Sequence, residues 1–213
     1  MGGRGASSSG GGTGGISSGN IISTTSLISA RERQQKEVDL TLSVLRDVQD
    51  RYGVNINDAQ IATLDKKGAS VIGYYDMSGN LAFNQNYFDA AKLDKAYDGC
   101  TSSGFHPSRG NKSGIEAVAA HEMGHRLTEE VGVKTGRGSW QLDAASNDIV
   151  KTAAKNAGYK SVKDFRAKIS GYAKKNNAEA VAEAFSDVYC NGSKASRESQ
   201  AVVNALNSYF GGK

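Results

Sequence analysis

Apolar residues recur at helical spacing through most of the chain, and short apolar runs of the kind found in strands are few. The clearest helical pattern covers residues 31–52, where apolar side chains repeat every three or four positions from Val38 to Val48 and Gly53 follows as a stop. Further helices are predicted over residues 87–97, 141–157, 162–173, 177–189 and 197–209. The C-terminal half is therefore expected to be mainly helical.

Two short apolar runs separated by a turn sequence predict a β-hairpin. The runs are residues 71–75 and 81–84, and the Asp-Met-Ser-Gly-Asn segment between them has the composition of a turn. Residues 60–64 predict one more strand. Strands are thus expected only in a small N-terminal sheet, which gives a mixed α+β order.

The first residues of the chain differ from the rest in composition. Nine glycines and five serines fall within residues 1–19. Such a segment cannot bury a core, so we expect residues 1–20 to form a flexible, disordered tail. The remaining residues, 21–213, are enough for a single domain around one core.

A polar cap opens the segment that carries the most informative residues of the chain. Ser113 and Glu116 have the spacing of a capping box. His121, Glu122 and His125 follow in the pattern His-Glu-x-x-His. Residues four apart project from one face of a helix, so both imidazoles can bind one metal ion while Glu122 lies beside them. This spacing predicts the helix of a zinc hydrolase.

A third zinc ligand must come from elsewhere in the chain. Glu179, Glu183 and Asp187 follow one another at four-residue spacing on a predicted helix, where they would repel one another unless a cation or histidines lay against them. These residues alone leave open which carboxylate binds zinc. His106 lies in a loop before the motif helix, and it either helps to bind the substrate or the oxyanion or simply hydrogen-bonds within its loop.

The motif and the later glutamate helix together resemble the gluzincin metallopeptidases, in two registers. In a thermolysin-like register, Glu183 would bind zinc and Asp187 would orient a zinc histidine. In the register of the anthrax lethal factor catalytic domain, a tyrosine lies seven residues before the ligand glutamate, an asparagine three before it and another glutamate four after it. This chain has Tyr172, Asn176, Glu179 and Glu183 at those positions.

The lethal factor register implies that Glu179 is the third zinc ligand and that Glu183 hydrogen-bonds a ligand imidazole. It also implies that Tyr172 donates to the tetrahedral oxyanion, a role that no histidine after His125 can take. Glu122 would accept a proton from the zinc-held water and pass it to the leaving amine. The resemblance therefore implies a zincin-like domain that acts as a zinc-dependent endopeptidase.

In zincins, the strand before the active-site helix usually forms the sheet edge along which a peptide lies. By that resemblance, residues 81–84 are the expected substrate-aligning edge, with Leu81, Phe83 and Asn84 in contact with substrate. An edge strand without a ligand is the alternative. Such recognition uses main-chain hydrogen bonds and side-chain pockets, so the expected partner is a protein or peptide.

Charge and hydropathy argue against nucleic acid and membrane partners. The formal net charge is only +4, from 26 basic and 22 acidic residues, and a solvated basic surface explains it better than a nucleic acid site. No segment approaches the ~20 apolar residues of a membrane span, and the N-terminus lacks the apolar core of a signal peptide. We therefore expect a soluble protein, cytoplasmic or virion-associated, with no membrane partner.

A looser resemblance links the glycine and serine leader, the Gly-Phe-His-Pro loop and the motif helix to small zincin domains of phages and prophages of Gram-positive bacteria. Those domains occur alone or fused to minor head proteins. This resemblance implies that the endopeptidase is encoded by a phage or mobile element. The alternative function class is a catalytically silent zincin scaffold with a structural or binding role in such an element. Glu122 favours the enzyme, because metal binding alone does not need it.

Overall fold

The computed structural model describes residues 34–56, 58–62, 71–76, 79–137 and 142–211. Within them the fold is mostly helical with one small sheet, which confirms the α+β prediction. The predicted tail, residues 1–20, lies outside the described residues. In chain order the elements are α1 (Gln35–Tyr52), β1 (Asp58–Ala62), β2 (Gly73–Tyr75), β3 (Asn80–Asn84), α2 (Ala90–Ser102), α3 (Gly114–Lys134), α4 (Leu142–Asn156), α5 (Val162–Ile169), α6 (Asn177–Asn191) and α7 (Arg197–Asn207).

α2 and α5 differ most from their predicted bounds. α2 extends to Ser102, five residues beyond its predicted end at residue 97. α2 begins only at Ala90, since the Asp89 side chain accepts a hydrogen bond from the Lys92 amide at 2.7 Å and so caps the helix there. α5 ends at Ile169, because Ser170 is fully extended with φ −165° and ψ 170°. The predicted helix over residues 162–173 is therefore wrong in its last turn, and Tyr172–Lys174 form a short 3₁₀ helix instead.

The sheet has the strand order β1–β3–β2. β2 and β3 pair in antiparallel fashion, which confirms the predicted hairpin, and β1 pairs with β3 in parallel. The prediction that residues 81–84 form a sheet edge is wrong, because β3 is the central strand and is hydrogen-bonded on both sides. The predicted strand over residues 60–64 lies two residues earlier as β1, and its last two positions fall outside the described residues.

α3 is the central helix of the fold. It packs most extensively against α6, with α1, α2 and β2 also against it. Apolar residues along its length are fully buried, including Ile115, Met123 and Leu127. A helix that is buried on most of its surface brings any polar side chain it carries into the interior, so the motif residues lie inside the protein.

No helix among the described residues is both long enough and apolar enough to cross a membrane.

Candidate metal centre

The capping box predicted at the start of α3 is present. The Ser113 hydroxyl accepts from the Glu116 amide at 3.2 Å, and the Glu116 carboxylate accepts from the Ser113 amide at 2.8 Å. This reciprocal pair fixes the first turn of the helix. Two turns on, the rings of His121 and His125 meet edge to face with their centroids 5.1 Å apart, and both are buried.

Glu179 of α6 completes a three-residue cluster with these histidines. Its Oε2 atom lies 3.3 Å from Nε2 of His121 and 3.3 Å from Nε2 of His125. The ligand atoms of the three residues all lie within 4.8 Å of one another, and all three residues are buried. Nε2 of His121 and Oε2 of Glu179 have no hydrogen-bond partner among the described residues.

Buried polar atoms without a partner cost about 1–3 kcal/mol each, so proteins retain them rarely and usually for a function. Here two such atoms face each other inside the protein, and both belong to residue types that bind metals. The cluster formed by His121, His125 and Glu179 could therefore hold a metal ion.

Glu183 lies one turn beyond Glu179 and contacts the other side of a histidine ring. Its Oε1 atom lies 2.9 Å from Nδ1 of His121, and its Oε2 accepts from the Ser170 hydroxyl at 2.7 Å. Because an ionised carboxylate only accepts hydrogen bonds, Nδ1 of His121 carries a proton. Nε2 of the same ring faces the cluster, and it supplies a lone pair there once it gives up its own proton on binding a metal.

The electrostatics of the centre follow from burial and from these contacts. Burial raises the pKa of Glu183, but hydrogen bonds from His106 and His121 outweigh it and hold that pKa at about 2. For Glu179, burial is likewise outweighed by His121 and His125, which bring its pKa well below the usual range. Burial lowers the pKa of His121, yet the adjacent carboxylates of Glu179 and Glu183 raise it to about 10, so the ring is protonated at neutral pH when no metal is bound. The carboxylates are thus ionised at neutral pH and attract a cation.

Glu122 is buried beside the cluster, and burial raises its pKa above the ordinary glutamate value. Its Oε1 atom has no hydrogen-bond partner among the described residues. β2 passes so close that a Cβ at Gly73 would lie 2.7 Å from this oxygen. Gly73 was not among the predicted site residues, although a glycine inside a strand commonly marks such a close approach.

Tyr172 and Lys175 both contact Glu179 from the segment before α6. The Tyr172 hydroxyl donates to Oε1 of Glu179 at 3.2 Å, and the Lys175 ammonium donates to the same oxygen at 3.1 Å and to the hydroxyl at 3.2 Å. Burial first, and then the charge of Glu179, raise the pKa of Tyr172. The phenol is therefore protonated and able to donate. Lys175 was missed, and its spacing four residues before Glu179 is the signal that could have found it.

His106 is buried, whereas the substrate contact predicted for it requires an accessible side chain. Its Nδ1 atom lies 2.9 Å from Oε1 of Glu183. Three aromatic rings enclose it, those of Tyr97, Phe105 and Tyr172, at centroid distances of 5.4, 4.9 and 5.5 Å. The structure thus corrects the expectation for His106, which contacts a carboxylate inside the protein.

Asp187 was predicted as an orienting carboxylate or alternative ligand, and the structure contradicts this. Its Oδ1 accepts from the Asn191 amide group at 2.9 Å and its Oδ2 from the main-chain N–H of Ser196 at 3.0 Å. These bonds tie the end of α6 to the start of α7. Asp187 is therefore a structural residue outside the cluster.

The predicted substrate contacts on β3 are also corrected. Leu81 and Phe83 are fully buried in the core. Asn84 is buried as well, and it donates to the carbonyl of Val71 at 2.8 Å and accepts from the amide of Asn86 at 3.1 Å. A central strand has no free main-chain groups for a peptide, so these three residues hold the sheet together.

The edge of the sheet next to the cluster is β2. Asp76 donates its main-chain N–H to Asn80 at 3.0 Å, and bonded positions alternate along an antiparallel pair. Gly73 and Tyr75 consequently direct their N–H and C=O groups away from β3. Among the described residues no strand pairs with that side. This edge begins at Gly73, beside Glu122, and all three residues of β2 are buried.

Comparison with models of protein families, with curated proteins and with solved structures finds no match to this chain.

Proposed function

We propose that the protein is a zinc-dependent endopeptidase of the gluzincin type, with a zincin-like catalytic domain. The observation that carries the proposal is the convergence of His121, His125 and Glu179 beside the buried carboxylate of Glu122. Two histidines and one glutamate are a ligand set of catalytic zinc sites, in which a fourth position stays open.

The distances within the cluster fit a metal ion with bond lengths such as those of zinc. Bonds of ~2.0–2.1 Å at tetrahedral angles place neighbouring ligand atoms about 3.3 Å apart. Oε2 of Glu179 lies 3.3 Å from Nε2 of both His121 and His125. The hydrogen bond from Nδ1 of His121 to Glu183 also matches the partner that zinc-ligating histidines usually have.

Zinc, when bound, lowers the pKa of a coordinated water to about 7 and polarises the carbonyl of the scissile peptide. Glu122 is the general base of the proposed reaction, because its carboxylate lies beside the cluster and has no other hydrogen-bond partner at Oε1. It accepts the proton of the attacking water and delivers it to the leaving amine. Burial, by raising the pKa of Glu122, brings it closer to the value that a base working near neutral pH needs.

Tyr172 is the proposed donor to the oxyanion of the tetrahedral intermediate. Its hydroxyl already lies at the cluster, 3.2 Å from Oε1 of Glu179. A donor held in place before the reaction stabilises the charge that develops in the transition state. Lys175 adds a positive charge beside the same hydroxyl and keeps Glu179 paired on the side away from the two histidines.

A protein or peptide substrate is proposed to lie along the unpaired edge of β2, which has to be uncovered first because its residues are buried. The outward main-chain groups of Gly73 and Tyr75 can pair with an extended peptide as an added strand. Because Gly73 is in contact range of Glu122, a peptide bound there passes the general base. This edge replaces residues 81–84 as the expected substrate-aligning strand.

The proposal is tested by zinc stoichiometry together with digestion of a proteome-derived peptide library. Wild-type protein is expected to retain one zinc ion per chain after dialysis and to cleave library peptides. Glu179→Gln removes a ligand and should lose both properties. Asp187→Asn is the matched control on the same helix and should keep both. A wild-type protein that retains no zinc contradicts the proposal, and one that binds zinc but cleaves nothing favours the silent scaffold.

A further inference from the structure

One oxygen of Glu183 lies between two imidazole rings. Oε1 is 2.9 Å from Nδ1 of His121 and 2.9 Å from Nδ1 of His106. His106 also lies 3.1 Å from the second oxygen, Oε2. The contacts form a chain from His106 through Glu183 to the metal-facing ring of His121.

The loop that carries His106 is fixed by main-chain hydrogen bonds. Gly104 adopts the left-handed conformation at φ 71° and ends α2. Beyond it, the amide of Gly171 donates to the carbonyl of Gly104 at 2.8 Å, and the amide of Tyr172 donates to that of Phe105 at 2.9 Å. His106 therefore follows a segment held against the residues before α6, which bear the other contacts to the cluster.

The ring of His106 is packed as an aromatic side chain. It stacks on Tyr97 with an interplanar angle of 17° and meets Phe105 and Tyr172 near edge to face. Its Nε2 atom is buried and has no hydrogen-bond partner among the described residues. A phenylalanine would fill the same space without an unpartnered nitrogen. The one polar contact that only the histidine supplies is the bond to Glu183.

Three donors hold the Glu183 carboxylate. Ser170 donates to Oε2 and His121 to Oε1, and Nδ1 of His106 lies 2.9 Å from Oε1 and 3.1 Å from Oε2. A carboxylate offers about four acceptor positions, so a donor shared by both oxygens and fixed in a loop further restricts how the group can turn. Groups that hold the partner of a ligand histidine set both the ring orientation and the metal affinity.

We propose that His106 is a positioning residue of the metal centre. It holds Glu183, and Glu183 in turn keeps Nδ1 of His121 protonated and Nε2 directed at the metal. The inference rests on the proposed zinc site, and it does not depend on peptidase activity.

Two substitutions of His106 separate its hydrogen bond from its packing. His106→Phe keeps the ring in the aromatic enclosure and removes the donor, whereas His106→Asn places an amide donor close to the position of Nδ1. Zinc affinity of the full-length protein is measured by competition with a chromophoric chelator. The phenylalanine variant is expected to bind zinc about 10–100-fold more weakly, the usual effect of losing such a partner, and the asparagine variant should recover most of that loss.

Controls separate this role from a structural one. The zinc-free His106→Phe protein should still unfold cooperatively, because the enclosure stays filled, and its melting temperature should fall only by what the lost bond to Glu183 contributes. Tyr159→Phe removes a tyrosine hydroxyl bond to Glu198, which belongs to neither the cluster nor its contacts, and should leave zinc affinity unchanged. If the phenylalanine variant does not fold, His106→Leu takes its place.

A double-mutant cycle tests whether His106 acts through Glu183. In a Glu183→Gln background, His106→Phe is expected to cause little further loss of zinc affinity. Three results would each overturn this inference without touching the proposed zinc site. They are wild-type zinc affinity in His106→Phe, equal losses in the phenylalanine and asparagine variants, and additive losses in the cycle. Absence of zinc binding by the wild-type protein would instead remove the proposed function, and this inference with it.

Discussion

Gly124 of α3 lies so close to Ala182 of α6 that a Cβ at position 124 would be 2.7 Å from the Cα atom of Ala182. The contact sets the register of the two helices at the metal centre. His121 and His125 stand three residues before and one after Gly124, and the two glutamates of the centre stand at the same offsets from Ala182. The glycine thus permits the backbone approach that brings the ligands together.

Gly124→Ala is expected to destabilise the protein, because the added methyl group overlaps the backbone of α6. Overpacking of this kind costs about 1–3 kcal/mol, against a gain of up to about 1 kcal/mol in helix propensity. Urea unfolding measures the difference. Gly99→Ala is the matched control: position 99 is also helical, and a Cβ there meets nothing within 4 Å, so this variant should be equally or more stable. Equal stabilisation of both variants would contradict the close approach.

Gly73→Ala is expected to impair catalysis and to spare zinc binding. The new Cβ would lie 2.7 Å from Oε1 of Glu122 and 2.8 Å from Cγ1 of Val118, so the general base must move. A displacement of about 1 Å in a catalytic group can lower the rate 10²-fold. Steady-state kinetics on a library-derived peptide, with zinc content measured in parallel, give the readout. Unchanged kcat in the zinc-loaded variant would show that Glu122 does not depend on this strand.

Tyr172→Phe is expected to lower kcat with little change in KM or zinc content. Loss of one oxyanion donor typically costs about 10²–10³ in kcat. The ring would remain packed between Phe105 and His121, so the fold should be kept. A fall in zinc affinity with an unchanged kcat would assign Tyr172 to support of Glu179 instead.

The zinc-free protein is expected to lose stability toward both ends of the pH range. Glu183, with its pKa lowered to about 2, contributes stability that is present above its unfolded value of 4.5 and lost as the pH falls toward 2. His121, with its pKa raised to about 10, contributes stability that is present below 6.5 and lost as the pH rises through 10.

Melting temperatures across the pH range, recorded with excess chelator, check this expectation. Glu183→Gln removes one of the groups responsible for the loss of stability in acid, so its melting temperature should fall less steeply between pH 4.5 and pH 2. A fall as steep as that of the wild-type protein would show that Glu183 does not contribute to this loss.

The features that the sequence predicted correctly are mostly those that depend on local patterns. The face shared by His121 and His125 follows from four-residue spacing on a capped helix, and both features are local. The choice of Glu179 over Glu183 does not follow from a local feature, since both glutamates stand on the same face of α6. Only the packing of α6 on α3 decides which carboxylate meets Nε2 and which meets Nδ1 of His121.

The errors arose where contacts are distant in sequence. β3 reads as the outer strand of a hairpin, and its central place depends on the parallel pairing of β1, which no local pattern indicates. His106 stands in a polar loop, and its burial depends on Tyr97 and Tyr172, which come from different elements. Such contacts appear only once the chain is folded.

Cleavage of a library-derived peptide by wild-type protein and by Glu122→Gln, each loaded with one zinc ion, tests the central claim most directly. The substitution removes the proposed base and leaves His121, His125 and Glu179 in place. We predict that both proteins hold zinc with similar affinity and that only the wild-type protein cleaves the peptide. Equal cleavage by both proteins, or cleavage by neither, would contradict the proposed peptidase.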